Sequence, residues 1–134
     1  MPLLPPWRSY GSVKVRYLDG PVVIQQMRRI SEDLVARDAR VEQVILFGSL
    51  AKGNYWPRSD ADICIILRGD DPRRSIDRIP EFREAFRGAP VPVDVLVCTR
   101  AEMDQMRDEG RRFAAEVLSR GIVLATGFVS SATS

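Results

Sequence analysis

The sequence contains no histidine, so the commonest general base and the commonest zinc ligand are both missing. Any acid–base or metal chemistry must therefore rest on carboxylates. Only two cysteines occur, Cys64 and Cys98, each at or near the end of an apolar run. They lack metal-ligand spacing and are too few for a disulfide framework, so they read as buried, reduced thiols. Neither sign of charge is in excess: 20 basic residues face 18 acidic ones, a net of +2 that gives no argument for direct nucleic-acid or membrane binding. No stretch approaches the roughly 18 apolar residues of a membrane span, and the opening MPLLPPWRSYG is too rich in proline for a signal peptide. These absences predict a soluble, cytoplasmic protein.

What remains is ordinary globular material. The 134 residues are 45% apolar and 28% charged, enough for one small domain with a core of its own. Residues 1–12, rich in proline and glycine, read as a flexible lead-in, residues 13–126 as the domain, and the small, polar residues 127–134 as a disordered tail. Val13, Val15 and Tyr17 alternate as in an edge strand. Asp19-Gly20-Pro21 opens a helix in which Val23, Met27, Ile30 and Leu34 recur at three- and four-residue spacing, to about Asp38. Val44–Phe47 and Ala61–Leu67 read as strands.

Asp71-Pro72 resembles a cap and first turn for a helical segment carrying Ile76, Ile79, Phe82 and Phe86, which Pro80 must kink or split. A third strand follows at Val93–Val97. Thr99-Arg100-Ala101-Glu102 has the spacing of a capping box and opens a helix of about twenty residues with Met103, Met106, Phe113 and Val117 inward. Gly121 stops it before a last strand, Ile122–Ala125. Strands alternating with helices predict an α/β or α+β domain around a central sheet.

The chemistry-bearing residues cluster at strand ends. On a strand Asp60 and Asp62 project from the same side, with Ile63, Ile65 and Leu67 on the other, and Asp94 interrupts the otherwise apolar VPVDVLV. If the two strands are neighbours, three carboxylates meet. They repel one another unless a cation or a shared proton offsets the repulsion, and hard oxygen donors suit magnesium or manganese beside substrate phosphates. Gly48-Ser49 supplies a place for phosphates, because glycine admits close backbone approach and a serine opening a short turn, Ser49–Lys52, offers a hydroxyl and free N–H groups. Lys52 and Arg58 add positive charge, or are merely solvated. Taken singly, Asp60 reads equally as a turn residue, Asp94 as an edge residue facing water, and Tyr55-Trp56 as packing over a loop.

Together, GSLAKG, then SDAD, then VDV resemble the minimal nucleotidyltransferases of the DNA polymerase β superfamily, whose signature is G-S-x-A-x-G, S-D-x-D and a third acidic residue on a following strand. The likeness spans roughly residues 17 to 125. It implies a nucleotidyltransferase fold, a mixed central sheet flanked by helices, with Gly48, Ser49, Lys52 and Ser59 holding nucleotide phosphates. Asp60 and Asp62 would bind two magnesium ions, with Asp94 a ligand of one and the general base. The implied reaction moves a nucleoside monophosphate, AMP from ATP, to an acceptor hydroxyl. In this branch the partner is often a HEPN-type toxin that the nucleotidyltransferase neutralises by modification or by contact alone; a homodimer or a small-molecule acceptor are the alternatives. Leu50 departs from the arginine that many members carry after the serine, and Ala61 and Cys64 replace aliphatic residues.

Overall fold

A computed structural model of the chain describes residues 20–53 and 60–127. The edge strand expected around Val13, the pair Tyr55-Trp56, Arg58 and Ser59 lie outside the described residues. Helix α1, Gly20–Arg37, buries Val23, Met27, Ser31 and Leu34 along one stripe. Ile30, expected on that stripe, packs at its margin, and Ser31 is tolerated inside because its hydroxyl donates to the Met27 carbonyl at 2.8 Å.

Strand β1, Val41–Phe47, begins three residues before the apolar run. Glu42 and Gln43 conceal its start in the sequence. The Gln43 backbone pairs with both neighbouring strands, and the two polar side chains are accommodated because Arg100 donates to both, at 3.0 Å to Glu42 Oε2 and 2.9 Å to Gln43 Oε1. Helix α2 is the single turn Ser49–Lys52, and β2 is Ala61–Leu67, both as the sequence predicts.

The next helix, α3, spans Ser75–Arg83 and passes into a 3-10 turn at Glu84–Phe86. Asp71-Pro72 does not start it: Asp71 is occupied in a local turn, accepting from the Arg73 backbone N–H at 3.0 Å and from its guanidinium at 2.6 Å, and Arg74 stands at the N-cap. Pro80 neither splits nor ends α3. The N–H it lacks would have bonded the carbonyl of Ile76, in the first turn of the helix on an exposed residue.

Strand β3, Val93–Thr99, leads straight into α4, Arg100–Asp108, through the expected capping box: Thr99 Oγ1 accepts from the Glu102 N–H at 3.1 Å and Glu102 Oε1 accepts from the Thr99 N–H at 2.9 Å. The single long helix expected here is in fact two, α4 and α5, Arg112–Arg120. Gly110 breaks it. With φ +73°, it closes α4 in a left-handed turn in which the Arg111 N–H bonds the Met106 carbonyl at 2.9 Å and the Gly110 N–H bonds that of Arg107 at 3.0 Å. Strand β4, Ile122–Thr126, completes the fold.

The four strands lie in the order β3-β2-β1-β4, with β1 antiparallel to both neighbours and β2 parallel to β3. One face, with Val44, Leu46, Ile63, Ile65, Val95 and Val97, packs under α1 and α3. The other, with Ile45, Cys64, Ile66 and Cys98, packs against Met103 of α4 and Ala114 and Val117 of α5. Helices thus cover both sides of a mixed sheet, the α+β architecture expected. No helix among the described residues is long and apolar enough to cross a membrane.

The capping box gives a direct test. Thr99→Ala should lower stability by about 1 kcal/mol, read from urea unfolding midpoints, whereas Arg107→Ala in an exposed ion pair should change it by well under half as much.

Candidate active site

The parallel register sets Asp62 directly beside Asp94, and antiparallel pairing sets Phe47 across from Asp62. The Ala61 N–H donates to the Pro92 carbonyl at 2.8 Å, which ties the start of β2 to the start of β3. Asp60, one residue before β2, completes the group; Asp60 and Asp94 are exposed and Asp62 is half-buried. Three carboxylates from two strands therefore stand at one end of the sheet, on the side where β1 runs into α2.

Asp62 is perturbed. Burial pushes its carboxyl above the usual carboxylate range, and the charges of Asp94, Asp60 and Glu116 push it further. Glu116, on α5, was not a sequence candidate. Nothing in a helix repeat indicates that this position faces a strand distant in sequence.

Gly48 explains how the turn expected to receive phosphates and the carboxylates share a point. Its φ of 80° and ψ of −153° belong to a region open essentially to glycine alone. A Cβ there would lie 2.1 Å from Asp62 Oδ2. The backbone at Gly48 thus touches the carboxylate, and no other residue admits that approach. Leu50 fixes the turn that follows: it is fully buried in the core under α1, and the Lys52 N–H returns to the Gly48 carbonyl at 3.1 Å. A charged side chain at position 50 would enter that core, so the departure at Leu50 is a packing choice. Ser49 opens α2, and Lys52 at its end pairs with Glu116 at 3.3 Å. Lys52 is therefore neither free nor merely solvated.

The donors fit a divalent cation in kind, because they are hard carboxylate oxygens whose mutual repulsion a cation relieves. In this conformation no three Asp, Glu or Cys side chains among the described residues converge into an ion-holding cluster. Cys64 and Cys98 lie one step deeper on the same face, buried and free, with their Sγ atoms 3.8 Å apart. Their hydrogen bond and burial push the Cys64 thiol up. In the β2–β3 register Cys64 is opposite Leu96 and Cys98 opposite Ile66, a diagonal relation that ordinarily leaves the backbones too far apart for a relaxed disulfide.

A four-stranded mixed sheet of this order, covered by helices and carrying a glycine-positioned turn against paired strand carboxylates, defines a small α+β domain. Residues 27–120 match the family model of the nucleotidyltransferase domain, and the chain belongs to that family. A crystal structure of a candidate nucleotidyltransferase from Sulfolobus solfataricus is similar at a TM-score of 0.59 and 25% identity, over 82% of this chain and 88% of that one. A toxin–antitoxin structure with AMP-PNP is similar at a TM-score of 0.47 and 20% identity, over 83% and 75%. The tri-AMPylated Shewanella oneidensis HEPN toxin in complex with MNT antitoxin is similar at 0.46 and 16%, over 81% and 73%. No curated protein matches.

Two outcomes are expected from this geometry. Gly48→Ala should cost about 1–3 kcal/mol from the backbone conformation alone, with more from the displaced Asp62 side chain, measured as a shift of the urea midpoint. The raised Asp62 pKa means that the folded state holds a proton the unfolded state releases, so its ionisation weakens the fold as pH rises from the unfolded carboxyl value through the folded one. Without added metal, Asp62→Asn should therefore melt above wild type at pH 7, and the difference should shrink towards pH 3. A lower melting temperature at pH 7 would contradict this account.

Proposed function

We propose that this nucleotidyltransferase domain transfers a nucleoside monophosphate, AMP from ATP, to a hydroxyl on a partner protein. The observation that carries the reading is the pairing of Asp62 with Asp94 across β2 and β3, with the Gly48 backbone against the Asp62 carboxylate. A structural role alone gives no reason to hold a half-buried aspartate among like charges.

In this reading Gly48 and Ser49 receive the phosphates through backbone N–H groups and the serine hydroxyl, and Ser59, outside the described residues, adds a second hydroxyl. Asp60, Asp62 and Asp94 are the residues that would hold two magnesium ions. Bound there, the ions would neutralise charge on the entering and leaving oxygens of an in-line displacement. Asp94 is exposed and stands on the edge strand β3, open to an incoming acceptor, and it is assigned the acceptor hydroxyl's proton. Asp62 orients the transferred phosphate. The hydroxyl oxygen bonds to the α-phosphorus, the bond to the β-phosphate oxygen breaks, and pyrophosphate leaves. The resemblance to the minimal nucleotidyltransferases supports a partner protein as acceptor.

The test is incubation with labelled ATP, magnesium and the product of any adjacent gene for a small helical protein, followed by mass spectrometry. Addition of one or more nucleoside monophosphates, lost in Asp62→Asn and Asp94→Asn by at least about a thousandfold, is the expected result. A tightly bound but unmodified partner would favour neutralisation by contact, and label on a small hydroxylated molecule alone would move the acceptor out of the protein class.

A further inference from the structure

A cavity of about 490 Å³ opens between α2 and α5, lined by Lys52, Arg112, Ala115, Glu116, Ser119 and Arg120. Positions 112, 116 and 120 are successive turns of one α5 face, so Arg112 and Arg120 flank Glu116 about 12 Å apart along the axis. Three cations and one carboxylate line this space. Most other arginines among the described residues are held by a partner: Arg40, Arg73, Arg78, Arg100 and Arg107, for example, are all in ion pairs. Arg112 and Arg120 have no hydrogen-bond or ion-pair partner among the described residues. The one carboxylate present is already engaged by Lys52 at 3.3 Å, which leaves both guanidinium groups to an outside anion.

Position relates the cavity to the carboxylates. Glu116 is close enough to Asp62 to raise its carboxyl, and Lys52 ends the turn that Gly48 and Ser49 begin. The cavity therefore lies beside the site, on the side of β1 and α2 and away from the β3 edge that carries Asp94. In an in-line displacement the leaving group departs opposite the attacking hydroxyl. With the acceptor at Asp94, departure is towards α2 and α5.

We infer that Lys52, Arg112 and Arg120 form a seat for the two distal phosphates of the nucleotide, and for pyrophosphate as it leaves. The inference rests on the transfer reaction proposed above and extends it to α5, which contributes none of the carboxylates assigned to metal binding. Planar guanidinium groups suit bidentate contact with phosphate oxygens, and Lys52 is drawn from Glu116 when that anion arrives. The seat selects a triphosphate over a monophosphate by charge and reach.

Calorimetric titration with ATP, AMP and inorganic tripolyphosphate, each with magnesium, tests it on wild type, the double variant Arg112→Gln/Arg120→Gln, its lysine counterpart Arg112→Lys/Arg120→Lys, and Arg29→Gln. Arg29 is an exposed arginine on α1 and controls for bulk charge. The glutamine pair should weaken ATP and tripolyphosphate at least about tenfold and AMP less than twofold, the lysine pair should recover most of the loss, and Arg29→Gln should change none of the three. Equal losses for AMP and ATP, or no loss for tripolyphosphate, would overturn the inference, as would a wild type that binds neither ATP nor tripolyphosphate. Tripolyphosphate binding that depends on the arginines, in a wild type that does not bind ATP, would keep the seat and remove the transfer reaction.

Discussion

The parallel pairing of β2 with β3 is the constraint on which the rest of the molecule depends. Two parallel neighbours cannot be joined by a tight turn; the chain must cross the sheet, and here α3 carries it over. The register that sets Asp62 beside Asp94 is only as well fixed as that crossover. Arg78 anchors it. Only 1% exposed, it donates through Nη2 to the carbonyls of Asp71 and Arg73 at 2.8 and 2.6 Å, through Nη1 to the Val97 carbonyl at 3.3 Å, and through both to Glu102 at 2.7 and 3.0 Å. One side chain thereby ties the exit of β2, the body of β3 and the first turn of α4. Ser75 adds a bond to the same Val97 carbonyl at 2.5 Å. Nε faces Asp71 Oδ1 at 3.8 Å, too far for a hydrogen bond, and has no other partner, so the anchor is held from its tip.

That rigidity is what lets the other end of the strands tolerate repulsion. Asp62 is half-buried next to like charges, an arrangement that costs free energy at neutral pH in the absence of a cation. The surrounding core does not yield: Leu50 on one side and Ile63, Ile65 and Val95 beneath are buried, and Gly48 has no side chain that could turn aside. The core therefore fixes the backbone that carries Asp62 and Asp94 side by side, while the exposed side chains of Asp60 and Asp94 do not yet converge with Asp62 into an ion-holding cluster.

Local signals carried much of this fold. The four-residue turn Ser49–Lys52, strand β2 and the capping box were legible because each is decided within a few residues: a glycine before a serine, seven apolar-biased residues, a threonine three before a glutamate. The misses have tertiary causes. Gln43 is a strand residue because its backbone pairs with β2 and β4, and the polar side chains of Glu42 and Gln43 are satisfied there by Arg100 from another element. The break after α4 lay with a glycine whose positive φ the apolar spacing of Met106 and Phe113 masked. Asp71 looked like a cap but was taken by Arg73. At the site the strand aspartates were legible from alternation, but their meeting depended on β2 and β3 being neighbours, and Glu116 had no signal at all.

Leu50 shows how one packing choice redistributes charge. Because position 50 is spent on the core, α2 presents a single cation to the space beside Gly48, and Glu116 already holds it. Further positive charge in that space comes from another element, and α5 is the element that reaches it. Its inner face supplies Ala114 and Val117 to the sheet, which fixes the helix; the adjoining face then carries Arg112, Glu116 and Arg120 at one-turn intervals. Gly121 allows this approach, since a Cβ there would strike the Val117 carbonyl at 2.4 Å and Ile45 Cγ2 at 2.5 Å. The same close contact that seats α5 on β1 brings its charged face alongside α2. The charge that a buried Leu50 keeps out of the Ser49–Lys52 turn is present one helix away, on α5.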